Sequence, residues 1–452
     1  MKKRFLLIFL LFLPAMAFCQ TTFTLKQCLD YADENNRKLQ KDKLGLETSR
    51  LERKELVGSL LPQVSASGGI TYNIEKTTFA MPNFMNSMLP PAMQDPNAPR
   101  YMTVTMGMDY AANWGAALSQ QILNFSLFNA LAIVKSTNEM TELSVEESRS
   151  DMIAQTASLY YNIQILEYAL IQFDATLEIM DSLLTIMEVN EEVGMVRQVD
   201  VGRVTVQKFN LETERTSIKQ ALEIQKNLLK LQMGFPISDS IQLTELDTGS
   251  IEEQLHSIRY SFFNLSDLPA YRIMEQQNTL AELNLRGAKS QNLPVITLTA
   301  NWSMNYMGDD FSGETFNRFP MSMVSLNMRL PLFTGMSGNA RIRKAKVEIM
   351  KSHQDRQQME QALAMGYSNA RIQLDKNLQT IESQRKNMDL AREVFEITRS
   401  NYSEGISSLS DLLNTSASLI QAQMNYVNAL NNCMKAYIDL KRADGTINEL
   451  NL

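Results

Sequence analysis

Two stretches of the sequence decide its fold: residues 61–74 read LPQVSASGGITYNI, and residues 293–306 read LPVITLTANWSMNY. Each stretch begins with Leu-Pro and then alternates apolar with polar residues. Because successive side chains of a β-strand point to opposite faces, this period of two predicts one apolar and one polar face. The two stretches therefore predict two copies of the same half-polar strand.

A second alternating stretch follows each of the first two, over residues 103–118 and residues 323–330. The strands run to about ten residues, which is the length that crosses a bilayer at a tilt. Their polar faces are small and carry little charge, as suits a wet lumen. We predict four transmembrane β-strands, and a soluble β-sandwich with the same alternation remains the alternative. Aromatic residues gather near the strand ends as in an interfacial girdle: Tyr72, Tyr110, Trp114, Trp302, Tyr306 and Phe319.

Four strands are too few to close a membrane barrel. The smallest outer-membrane barrels have about eight strands. An open sheet edge in lipid leaves backbone groups without partners, and each such group costs several kcal/mol. The sequence therefore predicts that several chains share one barrel.

The chain also repeats outside its strands. Gly194 is followed six residues later by Asp200, and Gly405 is followed six residues later by Asp411. The shared order of such landmarks predicts an internal duplication. The predicted organisation is a signal peptide at 1–19, a first repeat at 20–234 with a strand pair at 62–124 and a helical hairpin at 130–233, a linker at 235–266, and a second repeat at 267–452 with a strand pair at 294–333 and a helical hairpin at 340–444.

Each strand pair precedes a segment with the heptad spacing of a long helix. Apolar residues step by three and four through residues 130–193 and by seven through residues 340–404. More than sixty residues without proline amount to roughly 95 Å of helix at about 1.5 Å per residue. The predicted boundaries are C-terminal glycines at Gly194 and Gly405 and N-caps at Asp200 and at Ser410 or Asp411.

The N-terminus predicts export from the cytoplasm. Basic residues 2–4 precede an apolar run at Phe5–Leu13, and Ala17 and Cys19 are the small residues for a cut before Gln20. Lipidation of Cys19 remains an alternative. After this segment no run of eighteen apolar residues occurs, which argues against helical membrane spans. The formal net charge of -7 makes nucleic acid a poor partner.

No constellation of catalytic or cofactor-binding residues is visible. His256 and His353 are the only histidines, and no phosphate loop or metal-ligand spacing occurs. We therefore predict no enzymatic activity, no cofactor and no metal centre. Methionine thioethers can bind Cu(I) or Ag(I), although flexible apolar filler is the simpler interpretation; the residues concerned are Met81, Met85, Met88 and Met93.

Together, the signal peptide, the duplicated strand pair, the L-P-x-hydrophobic strand start and the G-x5-D hairpin tips resemble the TolC family of outer-membrane efflux proteins. The resemblance implies a mixed membrane β-barrel and α-helical barrel that closes only as a homotrimer. Each chain would supply four transmembrane strands and two long antiparallel helical hairpins, with a collar at the equator. It also implies a location in the outer membrane of a Gram-negative bacterium, with the helices in the periplasm, and docking to a periplasmic adaptor protein and an inner-membrane pump.

The resemblance further implies a gate at the tip of the second hairpin. The family narrows its closed end with acidic rings there. Asp411 matches the first ring, and Asn414 stands at the position of the second. A plain helix cap is the alternative interpretation of Asp411.

Family tips are also locked by a Tyr, an Arg and an Asp from neighbouring hairpins. Tyr402 and Asp200 match two members of that set. The arginine position reads Ser407, and Arg197 or Arg203 of the first hairpin is the candidate replacement.

The function implied is a passive exit duct of a tripartite efflux pump for small molecules. The outer-membrane component of a type I protein-secretion system would have the same sequence features. A periplasmic coiled-coil adaptor is a third possibility, but adaptors have a single hairpin and no paired amphipathic strands.

Overall fold

The computed structural model describes residues 22–249, 251, 263–310 and 317–451. The predicted signal peptide at 1–19, Cys19 and His256 lie outside the described residues. The main elements along the chain are β1 (Thr22–Phe23), α1 (Leu25–Asn35), α2 (Arg37–Gly58), β2 (Gln63–Tyr72), β3 (Thr77–Pro82), α3 (Phe84–Met88), β4 (Tyr101–Met106), β5 (Tyr110–Asn124), α4 (Phe125–Glu192), α5 (Gln198–Met233), β6 (Gln242–Leu243), α6 (Pro269–Ser290), β7 (Val295–Gly308), β8 (Asn317–Arg329), α7 (Ser337–Ser403) and α8 (Leu409–Ala443).

These elements form two compact units. One unit consists of the chain up to Leu46, Met140–Glu275, and the chain from Asp355 onward, and the other consists of Glu47–Glu139 and Gln276–Gln354. Each unit draws on both predicted sequence repeats. The division of the sequence at 234 and 267 stays a prediction, because a repeat in sequence need not be a compact unit.

The second unit contains an antiparallel sheet of four described strands in the order β2-β5-β7-β8. The register aligns the predicted apolar faces, since Val64 lies opposite Leu118, Leu118 opposite Ala300, and Ala300 opposite Val324. Strands β5 and β7 come close together at Gly115, where a Cβ would collide with the carbonyl oxygen of Trp302. Glycine is therefore required at this position. The alternating pattern of the sequence thus corresponds to one sheet with two distinct faces.

The second predicted strand, residues 103–118, is wrong as a single strand. Its first part belongs to β4, which pairs with β3 in a separate two-stranded hairpin. Gly107 then takes a φ of 113°, a backbone conformation that glycine adopts readily and other residues rarely do. The strand of the main sheet starts only at Tyr110 and continues to Asn124, beyond the predicted end.

Two long helices are present where the heptads predict them. Helix α4 has 68 residues and α7 has 67, and each starts a few residues before its predicted first residue. The seven-residue steps of α7 mark its buried side, because Leu374, Ile381, Met388 and Phe395 are each at most 5% exposed. No described helix contains an 18-residue window that is apolar enough to cross a membrane.

The two cysteines beyond residue 19 are not joined by a disulfide. Cys28 and Cys433 are buried free thiols. Burial raises the pKa of the Cys28 thiol to about 12, so the thiolate that would react is scarce at neutral pH. Both residues serve as small apolar side chains of the core.

Candidate functional site

The tips of the two helical hairpins have the same backbone. Gly194 and Gly405 take φ values of 78° and 75°, as predicted for glycines that end the long helices. At the first tip the N–H of Met195 donates to the carbonyl of Asn190 at 2.8 Å, and at the second the N–H of Ile406 donates to the carbonyl of Asn401 at 2.8 Å. These are the six-to-one bonds of a Schellman motif, so both tips turn in the same way.

At the first tip, Asp200 is part of a charge cluster. The predicted N-cap at Asp200 is wrong, because the cap residue is Arg197, which makes no side-chain capping bond. Asp200 lies in the first turn of α5 and accepts from Nε of Arg197 at 2.9 Å. Nη1 of Arg203 lies 3.6 Å from the same carboxylate. The tip therefore neutralises its own acid with two cations from the same helix.

At the second tip, Asp411 completes a capping box. The cap residue is Ser408, not Ser410 or Asp411 as predicted. Oγ of Ser408 accepts from the N–H of Asp411 at 3.1 Å, and the Asp411 carboxylate accepts from the N–H of Ser408 at 3.2 Å. Reciprocal bonds of this kind satisfy two helix-end donors at once. The sequence contains several serines near this helix start, and only the backbone geometry distinguishes them.

The capping bonds also keep Asp411 charged. The Ser408 hydroxyl, followed by the Ser408 backbone N–H, lowers the pKa of the Asp411 carboxyl below its ordinary value of 3.8. Asp411 and Asn414, one helical turn later, are both exposed, while Leu412 between them is buried. Among the described residues no cation forms an ion pair with Asp411, in contrast to Asp200.

Two of the predicted lock residues lie near each other within one chain. Tyr402 is half-buried against the core of its unit. Burial, and then the negative charge of Asp200, raises the pKa of the Tyr402 hydroxyl. The Asp200 carboxylate is therefore close enough for its charge to act on the phenol. Arg197 and Arg203 already pair with Asp200, whereas Ser407 has no charge to contribute.

A ladder of ion pairs between α4 and α5 was missed by the sequence analysis. Three acids of α4 pair with three bases of α5, and the acids recur every seventh residue, which was the available signal. Nζ of Lys226 lies 2.7 Å from Glu167, and Nζ of Lys208 lies 2.6 Å from Asp181. The middle pair joins Arg215 to Asp174.

The polar face of the main sheet is rich in hydroxyl and amide groups. Ser119 lies opposite Thr299, and Thr299 opposite Ser325. Nδ2 of Asn327 donates to Oγ1 of Thr299 at 3.3 Å. Such a face suits contact with water and with polar solutes of either charge.

One edge of that face is apolar, which the sequence analysis did not detect. Strand β8 extends back to Asn317, and its early residues reverse the alternation of the later ones without any shift of register against β7. Phe319, Met321 and Met323 lie opposite Asn305, Ser303 and Asn301, on the otherwise polar face. Each of the three is about half exposed.

Metal-binding clusters of the usual kind are absent from the described residues: no group of three His, Cys, Asp or Glu side chains is placed to hold an ion. The charged residues of the hairpin tips pair or cap instead.

Comparison with known proteins agrees with this architecture. Residues 268–446 match the family model described as outer membrane efflux protein. The chain is 21% identical over 350 residues to the outer membrane protein TolC of Escherichia coli, covering 74% of this chain and 69% of that protein. It is 22% identical over 433 residues to the probable efflux pump outer membrane protein TtgC of Pseudomonas putida, covering 93% of this chain and 82% of that protein.

The fold is also that of solved channels. The crystal structure of the Campylobacter jejuni CmeC outer membrane channel matches with a TM-score of 0.72 and 17% identity, over 93% of this chain and 85% of that chain. At this identity the likeness concerns the fold alone. Taken with the family match over residues 268–446 and with the relatives, the chain is similar to outer membrane efflux proteins, the TolC family that its motifs resemble.

Proposed function

We propose that the protein is the outer-membrane duct of an efflux system, a passive conduit through which small molecules leave the cell. One observation carries the proposal: apart from the first residues of β8, the four described strands form a sheet with one apolar and one polar face, in a chain whose relatives are outer-membrane efflux proteins. The apolar face suits lipid and the polar face suits a wet lumen. The protein would act in the outer membrane of a Gram-negative bacterium, with its helices in the periplasm.

The duct closes as a homotrimer in this proposal. Strands β2 and β8 stand at the two ends of the strand order, so each has a ladder partner on one side only. In lipid, unpaired backbone groups cost several kcal/mol each. Pairing β2 of one copy with β8 of the next removes every open edge, and three copies form the barrel that the resemblance implies.

The narrow end of the duct lies at the second hairpin tip in this proposal. Three copies of Asp411, each charged and without an ion-pair partner among the described residues, would form a ring of like charge that favours cations over anions. Asn414 would form a neutral ring one turn further on. Tyr402 and Asp200, with Arg197 and Arg203, would hold neighbouring hairpins together in the closed state.

The periplasmic adaptor protein and the inner-membrane pump are the partners that the family resemblance implies. A passive duct has no energy source of its own. The pump would therefore choose the cargo, and the duct would supply only the exit.

The experiment is conductance of the purified protein in planar bilayers, with Asp411→Asn and Ser408→Ala compared with the wild type. Asp411→Asn removes the charge and keeps a capping group, whereas Ser408→Ala removes the capping hydroxyl and keeps the charge. We expect a cation-preferring pore that loses its preference in Asp411→Asn and keeps it in Ser408→Ala. A pore with equal selectivity in all three proteins would contradict the gate, and failure of the folded protein to insert would contradict the duct.

A further inference from the structure

The β3–β4 hairpin has two chemically different faces. Its register places Phe79 opposite Val104 and Met81 opposite Met102, with Met106 on the same face. The other face carries threonines and alanine, and the hydroxyls of Thr78 and Thr105 lie 3.1 Å apart there. The methionines therefore share one side of a short two-stranded ribbon.

We propose that this hairpin binds a soft monovalent cation, Cu(I) or its analogue Ag(I), through the thioether sulfurs of Met81 and Met102. Directly opposed residues of an antiparallel pair have Cβ atoms about 4.5–5.5 Å apart. A methionine side chain has three rotatable bonds, so both sulfurs can reach one ion between the strands. Both residues are half-buried, which keeps part of the water away from such an ion.

The pair lies in a closed part of the hairpin rather than at a free end. Beyond it, Pro82 lies opposite Tyr101, and the N–H of Asn83 donates to the carbonyl of Arg100 at 2.9 Å. The connection is tied again by Asn86, whose Nδ2 donates to the carbonyl of Asp95 at 2.9 Å. These bonds hold the two strands at their spacing before any ion arrives, which lowers the entropy cost of binding.

The ligand chemistry selects the class of ion. Thioethers are neutral and soft, and they favour Cu(I), whereas Mg²⁺ and Ca²⁺ require oxygen ligands. Two sulfurs on opposite strands suit an ion of low coordination number. The site involves binding alone, without change in the oxidation state of the ion, and it does not rest on the duct proposed above.

The test is Ag(I) binding to the full-length purified protein, measured by equilibrium dialysis with metal analysis. The variant Met81→Leu with Met102→Leu removes the opposed pair. The matched control, Met85→Leu with Met88→Leu, removes two thioethers of α3 that are 61% and 81% exposed. We expect the first variant to bind one Ag(I) fewer per chain than the wild type, and the control to retain that ion.

Equal Ag(I) binding by the wild type and the Met81/Met102 variant would overturn the proposal, as would loss of the ion in the control alone. Should the first variant fail to fold, peroxide footprinting of the wild type gives the answer. Bound Ag(I) is expected to slow sulfoxide formation at Met81 and Met102 relative to Met85 and Met88. The same oxidation rates with and without Ag(I) would also overturn the site.

Discussion

The two hairpin tips share one backbone and differ in their charges. Both end in a left-handed glycine followed by the same six-to-one hydrogen bond. In the first tip, Asp200 is paired with Arg197 and Arg203, whereas in the second, the Asp411 carboxylate is hydrogen-bonded to the cap residue Ser408 and forms no ion pair among the described residues. The duplicated turn thus gives both tips the same backbone path. The side chains then differ, so that the acid of the first tip is paired with arginines and the acid of the second tip keeps its negative charge.

The contacts between the two helices of each hairpin, here called the seam, also differ in charge. The α4–α5 seam carries the three ion pairs that begin with Glu167–Lys226. On α8, the helix that corresponds to α5, Leu419 and Tyr426 are buried apolar residues, and they stand where α5 has Lys208 and Arg215. The second hairpin therefore depends more on apolar burial, and the first adds surface electrostatics to its core.

The largest expected effect is loss of apolar burial in the second hairpin. Phe395→Ala removes a fully buried ring and should lower the free energy of unfolding by about 3–5 kcal/mol. The measurement is denaturant unfolding of the purified protein. Phe209→Ala is the control, because Phe209 on α5 is 58% exposed, and an equal loss in both variants would contradict the assigned core.

The shared backbone of the tips predicts equal costs for two glycine substitutions. Gly194→Ala and Gly405→Ala meet no neighbouring atom, so each should lose about 1–2 kcal/mol, from the left-handed backbone alone. Gly366→Ala is the control, since Gly366 lies inside α7 without a positive φ, and alanine there should stabilise by about 0.5–1 kcal/mol. Unequal losses at the two tips, measured by denaturant unfolding, would break the comparison.

The two return helices have different cap residues, Arg197 and Ser408, so their substitution should change the free energy of unfolding by different amounts. Ser408→Ala removes a side-chain cap and should lower the free energy of unfolding by about 1 kcal/mol. Arg197→Ala removes a residue that makes no capping bond, so only a largely exposed ion pair is lost and the change should be under about 1 kcal/mol. A larger loss at Arg197 than at Ser408 would reverse the assignment of the caps.

The pH dependence follows from the lowered pKa of Asp411. Because the folded value lies below the ordinary value of 3.8, the contribution of the charged carboxylate is complete at higher pH and is lost as pH falls through the folded value. In a ring of three carboxylates, mutual repulsion raises the pKa of Asp411 in the wild type and in Ser408→Ala alike, so the capping bonds are tested by the difference between the two proteins. The pH midpoint at which the cation preference is lost, from reversal potentials at stepped pH, should be higher in Ser408→Ala than in the wild type, and an equal or lower midpoint in Ser408→Ala would contradict the capping box.

The smallest expected loss of unfolding free energy comes from an ion pair between α4 and α5. Arg215→Gln breaks the pair with Asp174, whose side chains are 41% and 51% exposed, and exposed pairs are worth about 0.2–1 kcal/mol. The loss should shrink at high salt because ions screen such pairs. A loss that is independent of salt would show that packing of the arginine stem, not its charge, stabilises the contact between α4 and α5.

The strands and long helices were predictable where periodicity is a direct consequence of burial. The alternation around Val64 and Leu298 and the heptad steps through Leu374 and Phe395 each mark one face. The break at Gly107 was not predictable, because Met106 and Met108 continue the alternation and the φ of Gly107 leaves no mark on residue type. The first part of β8, around Met321, was not predictable because its apolar residues lie on the polar face of the sheet. Alternation assigns apolar residues to the apolar face, and here the continuous pairing with β7 does not follow that rule.

The tip residues were predictable in position and only partly in chemistry. The spacing from glycine to aspartate located Asp200 and Asp411 in the first turns of the return helices. The pairing of Asp200 with Arg197, and the bonding of the Asp411 carboxylate to Ser408, depend on side-chain directions that spacing alone does not determine. Whether these residues gate a trimer stays a prediction.

The most direct test of the central claim is cross-linking of the two edge strands. Ser65→Cys in β2 is combined in turn with Met321→Cys, Met323→Cys, Ser325→Cys and Asn327→Cys on the same face of β8, and the membrane-embedded protein is oxidised. A duct closed by three chains predicts a covalent trimer under denaturing conditions for at least one neighbouring pair and none for the most distant. Monomers in every combination, or products that stop at the dimer, would contradict a barrel shared by three chains.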